Sequence, residues 1–350
     1  MLHFHPLRVS EIERNTPSSV TITFDVPETL REAFSYKAGQ HITIRKEFDG
    51  KEIRRSYSIC TSPGEEKLSV GVKEIPGGTF SGYANNVLKE GDILEVHPPE
   101  GHFAFTPDHS KARAIAAFAA GSGITPIISI LKTLLEEEPE SRFVLVYGNR
   151  NTGETMFLKD ITTLIAGYPE RLTVYFTYSR AEEDNALFGR IEHATVNYVL
   201  KNKQKNTVFD AFYLCGPEEM VQTVSETLKE NTIAEEKIHF ELFTSSSEEK
   251  ELDENLDGQT RIKIIVDDEE FEFTMPQSEK VLDAALKHDI DAPYSCQGGV
   301  CSSCLARVTE GEVKMVKNQI LTDGEIAEGL VLTCQSHPVT PTLTIDYDDV

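Results

Sequence analysis

Four cysteines near the C-terminus are the residues whose types and spacing most clearly permit chemistry. Cys296, Cys301 and Cys304 have the spacing C-x4-C-x2-C, and Cys334 follows after another twenty-nine residues. A structural zinc site usually has two C-x2-C pairs, and this sequence has one. A disulfide scaffold is typical of exported proteins, but residues 1–9 contain no apolar core of a signal peptide. We therefore expect a cytoplasmic protein with reduced thiols.

The cysteine spacing is that of a plant-type [2Fe–2S] cluster, in which one loop supplies three thiolates and a later strand the fourth. Gly298 and Gly299 lie in the loop, where the absence of a side chain lets backbone N–H groups approach the cluster sulfides. Four thiols without a metal are the alternative interpretation. The cysteine pattern thus predicts a one-electron carrier.

A glycine pair upstream has the spacing of a nucleotide-binding turn. Gly121 and Gly123 separate an apolar strand pattern at Ala114–Ala119 from a helical pattern at Ile124–Glu138. Such a turn presents backbone amides to a pyrophosphate at the positive end of the helix. Pro126 occupies the place of the third glycine in G-x-G-x-x-G, which argues against an ordinary Rossmann fingerprint.

Basic residues follow the next two predicted strands. Arg150 comes after Phe143–Tyr147, and Ser179 and Arg180 come after Leu172–Thr177. A guanidinium just after the carboxyl end of such a strand suits the 2′-phosphate of NADPH. An NADH site usually has a carboxylate at that position. Together, Arg150 and Arg180 therefore favour NADPH. The alternative is that both are solvated loop residues and that the cofactor is NADH.

The N-terminal third contains R-x-Y-S at Arg55, Tyr57 and Ser58. Alternation along a strand places Arg55 and Tyr57 on one side, where the phenol ring can stack on a flat ring and the guanidinium can meet a phosphate. Residues 77–81, Gly-Gly-Thr-Phe-Ser, lead into a short helix predicted at Ser81–Leu88 and offer amides and a hydroxyl to a second phosphate. An exposed strand face is the alternative for R-x-Y-S.

The elements that must position these residues change character along the chain. Residues 1–106 contain short alternating strands at 19–24, 41–44, 68–72 and 93–96. Gly, Pro and Asp punctuate them, which predicts an antiparallel β-barrel. Residues 107–243 alternate strands with helices, which predicts an α/β domain with a parallel sheet. Within it, Cys215-Gly216-Pro217 follows the apolar strand Ala211–Leu214. The predicted fold class is therefore multi-domain.

Charge separates a further module from these two. The 350 residues have a net charge of −24, of which −5 falls in residues 244–258 and −10 in residues 259–350. The first of these segments is predicted to be a solvated acidic linker. An excess of negative charge argues against nucleic-acid or membrane-surface binding. The uncharged stretch Ala114–Leu131 contains the glycine pair and a proline, so we expect strand–turn–helix and no membrane span.

The ordered motifs R-x-Y-S, G-G-x-x-S, G-x-G-x-x-P and C-G-P resemble those of the ferredoxin–NADP reductase superfamily over residues 1–243. Residues 259–350, with a hairpin, a helix and two further strands around the cysteines, resemble the β-grasp of plant-type ferredoxins. The domain order is similar to that of oxygenase reductase subunits, above all the phenylacetyl-CoA epoxidase reductase group, which residues 238–243 also fit. The resemblance implies an FAD-binding barrel (1–106), an NAD(P)-binding domain (107–243), a linker (244–258) and a ferredoxin domain (259–350).

The resemblance also implies roles for individual residues. The flavin would be held by Arg55, Tyr57 and Ser58, with Phe243 at its edge, and its pyrophosphate by Gly78, Thr79 and Ser81. The nicotinamide nucleotide would be bound by Gly121, Gly123, Thr125, Gly216 and Pro217, and its 2′-phosphate by Arg150, Ser179 and Arg180. The residues implied at the reacting atoms are Ser58, Cys215 and Glu241. The cluster ligands would be Cys296, Cys301, Cys304 and Cys334.

The implied activity is electron transfer from NADPH through FAD and a [2Fe–2S] cluster to an oxygenase or epoxidase component, in phenylacetate catabolism. The phthalate dioxygenase reductase type uses FMN and NADH, and the glycine-rich 77–81 segment favours FAD here. The acidic module is expected to dock on a basic partner surface. Two alternatives are a reductase for another acceptor, such as a desaturase, and an electron carrier without dehydrogenase activity.

Overall fold

The computed structural model describes residues 4–243, 256, 258–318 and 320–350. The chain forms two compact units, a larger one over Phe4–Phe243 and a smaller one in the residues after 243. All of the predicted linker 244–258 except Leu256 and Gly258 lies outside the described residues.

The first part of the larger unit is the predicted antiparallel barrel. Its sheet has the order β4-β3-β6-β1-β2-β5, and an antiparallel bridge between Ile59 and Val70 joins the two outermost strands. Inward side chains such as Ile22 and Ile44 are fully buried. The elements are β1 (His5–Thr16), β2 (Ser19–Asp25), β3 (His41–Phe48), β4 (Lys51–Ser58), β5 (Leu68–Lys73), α1 (Thr79–Asn86) and β6 (Ile93–Val96).

The second part of the larger unit is the predicted parallel α/β structure. All strand pairs of its six-stranded sheet are parallel, in the order β10-β9-β8-β7-β11-β12. A five-residue π-helix (Val199–Lys203) continues α4. The elements are β7 (Ala114–Ala120), α2 (Ile124–Glu137), β8 (Arg142–Asn149), α3 (Leu158–Gly167), β9 (Leu172–Tyr178), β10 (Leu187–Phe188), α4 (His193–Tyr198), β11 (Ala211–Gly216), α5 (Glu218–Glu230) and β12 (Ile238–Leu242).

The uncharged stretch at residues 114–131 folds as predicted. It forms β7, a short 3-10 turn at Gly121–Gly123 and the first half of α2. Along the described part of the chain, no helix combines the length and the apolar character needed to cross a membrane.

Helix α2 fastens the parallel sheet to the barrel. The Ser129 hydroxyl donates to the Thr61 carbonyl at 2.6 Å, and the Ser62 hydroxyl donates to a Glu136 carboxylate oxygen at 2.6 Å. The apolar side of the helix packs in a core that also contains Phe105 of the barrel. Because α2 begins at the glycine turn, these contacts hold the turn in a fixed position relative to the barrel strands.

The smaller unit has the β-grasp arrangement predicted for the ferredoxin module. A five-stranded sheet has the order β14-β13-β19-β15-β17, with β13 and β19 parallel, and β16 pairs with β18. Alternation along β13 buries Ile262 and Ile264 against α6. The elements are β13 (Gln259–Val266), β14 (Glu269–Pro276), α6 (Val281–Lys287), β15 (Leu305–Glu310), β16 (Val313–Met315), α7 (Asp323–Ala327), β17 (Leu330–Leu332), β18 (Ser336–Pro338) and β19 (Thr342–Asp346).

Candidate functional site

Strand β4 presents the R-x-Y-S residues on its two sides, as its alternation predicts. Arg55 is exposed and Tyr57 half-buried on one side, while Ser58 is buried on the other. The Tyr57 ring centroid lies 5.5 Å from that of Phe80, which backs it. A backed aromatic face beside an exposed guanidinium fits a flat ring that carries a phosphate chain, as flavins do.

The glycine-rich turn before α1 is a cradle that a side chain would fill. A Cβ added at Gly78 would come within 2.4 Å of the Ser81 hydroxyl, and Gly77 has a φ of +76°. The Ser81 hydroxyl accepts a hydrogen bond from the Ile75 N–H at 3.1 Å, so Ser81 holds the turn together. Thr79 is exposed at the first position of α1. The turn therefore fits the pyrophosphate predicted to bind there, with Ser81 holding the turn and Thr79 exposed to solvent.

The three residues expected at the reacting atoms come together. The Ser58 hydroxyl donates to the Glu241 carboxylate at 3.2 Å. Cys215 lies opposite Glu241 in the parallel register of β11 and β12, and it is fully buried. Burial raises the pKa of the Cys215 thiol, and the Glu241 carboxylate raises it further. Cys215 is therefore a neutral thiol beside a hydrogen-bonded carboxylate.

Two residues of this site were not among those predicted. His41 pairs with Ser58 in the register of β3 and β4, and its Nδ1 lies 3.8 Å from a Glu241 carboxylate oxygen. Its Nε2 lies 3.5 Å from a Glu100 carboxylate oxygen. Burial lowers the pKa of His41, but the two carboxylates outweigh it and raise that pKa to about 10. His41 lies on an ordinary alternating strand and belongs to no motif. It comes next to Ser58 through the pairing of β3 with β4, which the sequence pattern does not specify.

The G-x-G turn is shaped by close contacts on both glycines. Gly121 has a φ of +56°, and its carbonyl accepts a hydrogen bond from the Tyr147 hydroxyl at 3.0 Å. A Cβ added at Gly123 would come within 2.1 Å of the Cys215 carbonyl oxygen. The Thr125 hydroxyl donates to the Ser122 carbonyl at 3.0 Å, so it stabilises the turn. The G-x-G turn therefore packs directly against the backbone of Cys215.

The remaining predicted residues are Gly216 and Pro217, at the end of β11, and Phe243, directly after β12. A Cβ added at Gly216 would come within 2.8 Å of the Met220 methyl carbon, so the strand end packs tightly on α5. Pro217 is exposed immediately before α5. Phe243 is half-buried against the core beneath the parallel sheet. Gly216 and Pro217 thus form the tight connection from β11 to α5.

The basic residues lie together at the carboxyl edge of the parallel sheet. The Arg180 N–H donates to the Arg150 carbonyl at 2.9 Å, and the N–H of Ser179 donates to the preceding strand at 3.0 Å. The Arg150 guanidinium is 57% exposed and lies 3.5 Å from the Glu154 carboxylate. Both guanidinium-bearing residues therefore face solvent beside the glycine turn, where an anionic group can reach them.

Lys73 is a third cation at this edge, and no sequence pattern predicted it. Its Nζ lies 3.8 Å from the position of a Cβ on Gly121. Burial lowers the pKa of Lys73, which Glu154 partly counteracts. Lys73 ends a barrel strand and belongs to no sequence motif. It reaches the G-x-G turn because β5 packs against that turn.

The four cysteines of the smaller unit lie side by side. None forms a disulfide. The Cys296 thiol is within hydrogen-bonding reach of Cys301 and Cys334, and Cys334 is within reach of Cys304. These contacts lower the pKa of Cys296 and raise those of Cys301 and Cys334. Along the described residues, no group of three or more His, Cys, Asp or Glu side chains is placed to hold a single metal ion.

The loop around the cysteines nevertheless fits an iron–sulfur cluster by its donors. The Gly298 N–H donates to the Cys296 sulfur at 3.3 Å. Gly299 has a φ of +71°, and a Cβ there would come within 2.9 Å of the Lys317 carbonyl oxygen. Soft thiolates supported by backbone N–H groups are the ligand environment of [2Fe–2S] clusters. Gln335, which donates to the Gln297 carbonyl at 3.0 Å, is a further residue holding this loop that the sequence did not indicate.

Comparison with known families agrees with this geometry. Residues 6–105 match the oxidoreductase FAD-binding domain family, and residues 118–226 match the oxidoreductase NAD-binding domain family. Residues 264–339 match the 2Fe-2S iron-sulfur cluster binding domain family. The predictions of FAD, a pyridine nucleotide and a [2Fe–2S] cluster are therefore confirmed, while the comparison does not distinguish NADPH from NADH.

Proteins of similar sequence cover nearly the whole chain. In Escherichia coli (strain K12), a subunit of 1,2-phenylacetyl-CoA epoxidase is 39% identical over 354 residues, 99% of each chain. The ferredoxin reductase component of 3-ketosteroid-9-alpha-monooxygenase from Rhodococcus rhodochrous is 32% identical over 351 residues, 97% of this chain and 96% of the relative.

Solved structures share the fold. Phthalate dioxygenase reductase, a modular structure for electron transfer from pyridine nucleotides to [2Fe-2S], is 22% identical with a TM-score of 0.63 over 98% of both chains. An intact type IV self-sufficient cytochrome P450 monooxygenase is 24% identical with a TM-score of 0.71, over 98% of this chain and 41% of that one. Together with the confirmed domain families, these findings show that the chain belongs to the family of FAD- and [2Fe–2S]-containing oxidoreductases that serve as reductase components of oxygenases.

Proposed function

We propose that the chain is the NADPH-dependent reductase of an oxygenase of the phenylacetyl-CoA epoxidase type and acts in the cytoplasm. The observation that carries this proposal is the contact between Ser58 of the barrel and Glu241 of the parallel sheet, at 3.2 Å. It joins β4, the proposed flavin strand, to β12, which pairs with the strand that contains Cys215. The 39% identical relative, which is named as part of phenylacetyl-CoA epoxidase, supports the choice of oxygenase type.

The division of labour follows the predicted domains, with an FAD-binding part at 1–106, an NAD(P)-binding part at 107–243, a linker at 244–258 and a ferredoxin part at 259–350. A bound flavin supplies the conversion of a two-electron hydride donor into single electrons, which a [2Fe–2S] cluster can carry. Cys296, Cys301, Cys304 and Cys334 would hold that cluster. The remaining chemistry belongs to side chains that bind, orient and exclude water.

Ser58, Glu241 and Cys215 are proposed to shape the site where the nicotinamide meets the flavin. Ser58 donates to Glu241, which leaves the serine oxygen available as an acceptor toward the flavin edge. Cys215 is neutral and fully buried, so it provides a dry wall beside the nicotinamide and no competing nucleophile. Tyr57 and Arg55 would hold the flavin ring and its phosphate.

The preference for NADPH rests on the cations at the carboxyl edge of the parallel sheet. Arg150 and Arg180 are joined through their backbones at 2.9 Å, and both side chains are exposed. Two guanidinium groups at neighbouring strand ends suit a 2′-phosphate dianion. Ser179 adds a half-buried hydroxyl, which donates to the Asn149 carbonyl at 3.4 Å and could turn toward the phosphate.

Steady-state kinetics with both nucleotides test this assignment. The double variant Arg150→Ala/Arg180→Ala should raise the KM for NADPH about tenfold or more and leave that for NADH nearly unchanged, since charged hydrogen bonds contribute about 1.5–3 kcal/mol. Arg142→Ala is the matched control, because Arg142 is exposed at the opposite end of β8. An unchanged ratio of the two nucleotides in the double variant would show that the 2′-phosphate role is wrong.

A reductase for another oxygenase is the second candidate, because the 32% identical relative serves a 3-ketosteroid monooxygenase. Purified epoxidase and 3-ketosteroid oxygenase components, each offered with NADPH, distinguish the two by product formation. The visible spectrum separates both from an electron carrier without dehydrogenase activity. Flavin bands together with a broad cluster absorption are expected, and cluster absorption without flavin would contradict the reductase assignment.

A further inference from the structure

The imidazole of His41 lies between two carboxylates that belong to different parts of the larger unit. Its Nδ1 is 3.8 Å from Glu241 on β12, and its Nε2 is 3.5 Å from Glu100 in the segment after β6. The side chain is 5% exposed. Gly101 covers the ring, since a Cβ on that glycine would come within 2.8 Å of Nδ1. The ring is therefore closed off from water between two acceptors.

Only the protonated ring suits both neighbours. A neutral imidazole has one N–H, so its other nitrogen would direct a lone pair at a carboxylate. The imidazolium has an N–H on each side. The Nε2–Glu100 contact does not have ordinary hydrogen-bond geometry, so charge attraction dominates it. Burial lowers the pKa of His41, while Glu100 and Glu241 together raise it to about 10.

Other titratable groups around the ring do not change this assignment. His97, in the same segment as Glu100, has its pKa lowered by burial and is therefore neutral at pH 7. Arg54 on β4 acts electrostatically on His97. Cys215 adjoins Glu241, and its raised pKa keeps the thiol uncharged. The charged groups that act most strongly on His41 at neutral pH are thus the two carboxylates.

We propose that His41 is a positioning residue whose imidazolium orients the Glu241 carboxylate as the acceptor for the Ser58 hydroxyl at the flavin edge. This inference rests on the proposed placement of Ser58 and Glu241 beside the flavin. His41 is suited to this role because its backbone is held from two sides, by β4 and by the segment that contains Glu100. It pairs with Ser58 in the register of β3 and β4, and its N–H and carbonyl both bond to the backbone of Glu100 at 3.0 and 2.9 Å.

Removing the imidazolium takes away one of the groups that orient the Glu241 carboxylate. Glu241 is half-buried beside an uncharged thiol, so without His41 its charged form loses its nearby positive partner. Without that partner, the Glu241 carboxylate is less firmly held toward the Ser58 hydroxyl that donates to it. His41→Gln should therefore weaken the hydrogen bond between Ser58 and Glu241 and slow the step that depends on it.

The first test observes the ring directly in the full-length protein with its bound groups. Histidine side chains are labelled with nitrogen-15, and the His41 signal is assigned by its loss in His41→Gln. We expect an imidazolium signal at about pH 8, where free histidine, with a pKa of about 6.5, is neutral. A neutral His41 ring at that pH would overturn the proposal.

The second test is a double-mutant cycle on the rate of flavin reduction in stopped flow. His41→Gln should slow reduction about tenfold, a loss typical of one hydrogen bond to a charged group, with flavin affinity unchanged. In a Glu241→Gln background the same change should have almost no further effect. Additive losses would overturn the proposal, because His41 would then act independently of Glu241.

The cycle also separates this inference from the function it rests on. If Glu241→Gln alone leaves flavin reduction unchanged, the placement of Glu241 at the flavin is wrong. If Glu241→Gln slows reduction and His41→Gln does not, only the role of His41 is wrong. Thermal unfolding of each variant, compared with Ser10→Ala on β1, checks that the barrel is intact.

Discussion

Ser58 and Glu241 are 183 residues apart in sequence, yet the serine hydroxyl donates to the glutamate carboxylate at 3.2 Å. One residue ends strand β4 of the antiparallel barrel and the other lies on β12, the last strand of the parallel sheet. The candidate site is thus made by the meeting of two sheets. Helix α2, bonded to the barrel through Ser129 and Ser62, maintains that meeting.

The first prediction concerns the hydroxyl in this contact. Ser58→Ala should slow flavin reduction by NADPH about tenfold, because Glu241 loses a hydrogen bond that a charged acceptor makes stronger. Flavin content should not change, since Tyr57 and Arg55 are proposed to hold the ring and its phosphate. Stopped-flow absorbance at the flavin band measures the rate. Ser10→Ala, which removes a barrel hydroxyl bonded to the Thr23 carbonyl, should leave it unchanged.

The second prediction concerns the nucleotide turn. Gly123→Ala places a Cβ 2.1 Å from the Cys215 carbonyl oxygen, and that oxygen belongs to a central strand that cannot move freely. The turn must shift, so nucleotide affinity should fall about tenfold or more and the melting temperature should drop. Isothermal titration with NADPH measures the affinity.

Gly167→Ala is the matched control for the turn. Gly167 ends α3, and a Cβ there meets nothing within 4 Å. Alanine at this position should leave nucleotide affinity as it is and keep or slightly raise stability. If Gly123→Ala behaved like Gly167→Ala, the tight approach to Cys215 would have no role in binding.

Local patterns in the sequence predicted most of the elements and the motif residues on them. Alternation identified β2, β5 and β6, and a continuous apolar run followed by a helical period identified β7 and α2. Strand β1 was not predicted, because its residues Glu11–Asn15 are mostly charged or polar and its pairing comes from neighbours on both sides. The short helix was expected at 81–88 and begins two residues earlier, directly after Gly78.

The residues that sequence patterns missed at the site share a physical reason. His41, Glu100 and Lys73 belong to no motif, and each reaches the site through contacts between elements distant in sequence. A spacing rule detects ligands that lie on one loop, such as Cys296, Cys301 and Cys304. It cannot detect a side chain placed by strand register or by the packing of one sheet edge on another.

The third prediction separates the two electron-carrying parts. Cys301→Ser should abolish cluster absorption, because a serine oxygen is a poor replacement for a thiolate among soft ligands. Turnover of NADPH with ferricyanide should persist, since that acceptor can oxidise the flavin directly. Cys60→Ser is the control, because Cys60 is buried in the larger unit and its thiol donates to the Ser69 carbonyl at 3.3 Å. Loss of both activities in Cys301→Ser would contradict two independently assembled units.

The fourth prediction is a pH dependence of stability that originates at His41. Its pKa in the folded chain, about 10, is above its ordinary value of 6.5, so the folded state binds this proton more tightly than the unfolded state. The resulting stabilisation is complete below about pH 6.5 and disappears as the pH rises through about 10. The difference in free energy of unfolding between wild type and His41→Gln should therefore decrease over this window.

Urea denaturation at a series of pH values measures that difference. Ser10→Ala serves as the reference, and its difference from wild type should not vary with pH, since the lost hydroxyl does not titrate in this range. A difference for His41→Gln that is constant or grows with pH would show that the ring is not an imidazolium in the folded chain.

The last prediction concerns delivery of electrons to the oxygenase. Residues 259–350 have a net charge of −10, and the segment before them adds −5, so we expect a basic partner surface to attract this unit. Screening shortens the reach of that attraction, from a Debye length of about 10 Å at 0.1 M salt to about 3 Å at 1 M. The rate of delivery to the oxygenase component should fall steeply over this range. Reduction of ferricyanide, a small anion that the same field repels, should become faster or stay constant. A delivery rate independent of salt would show that the acidic charge does not guide docking.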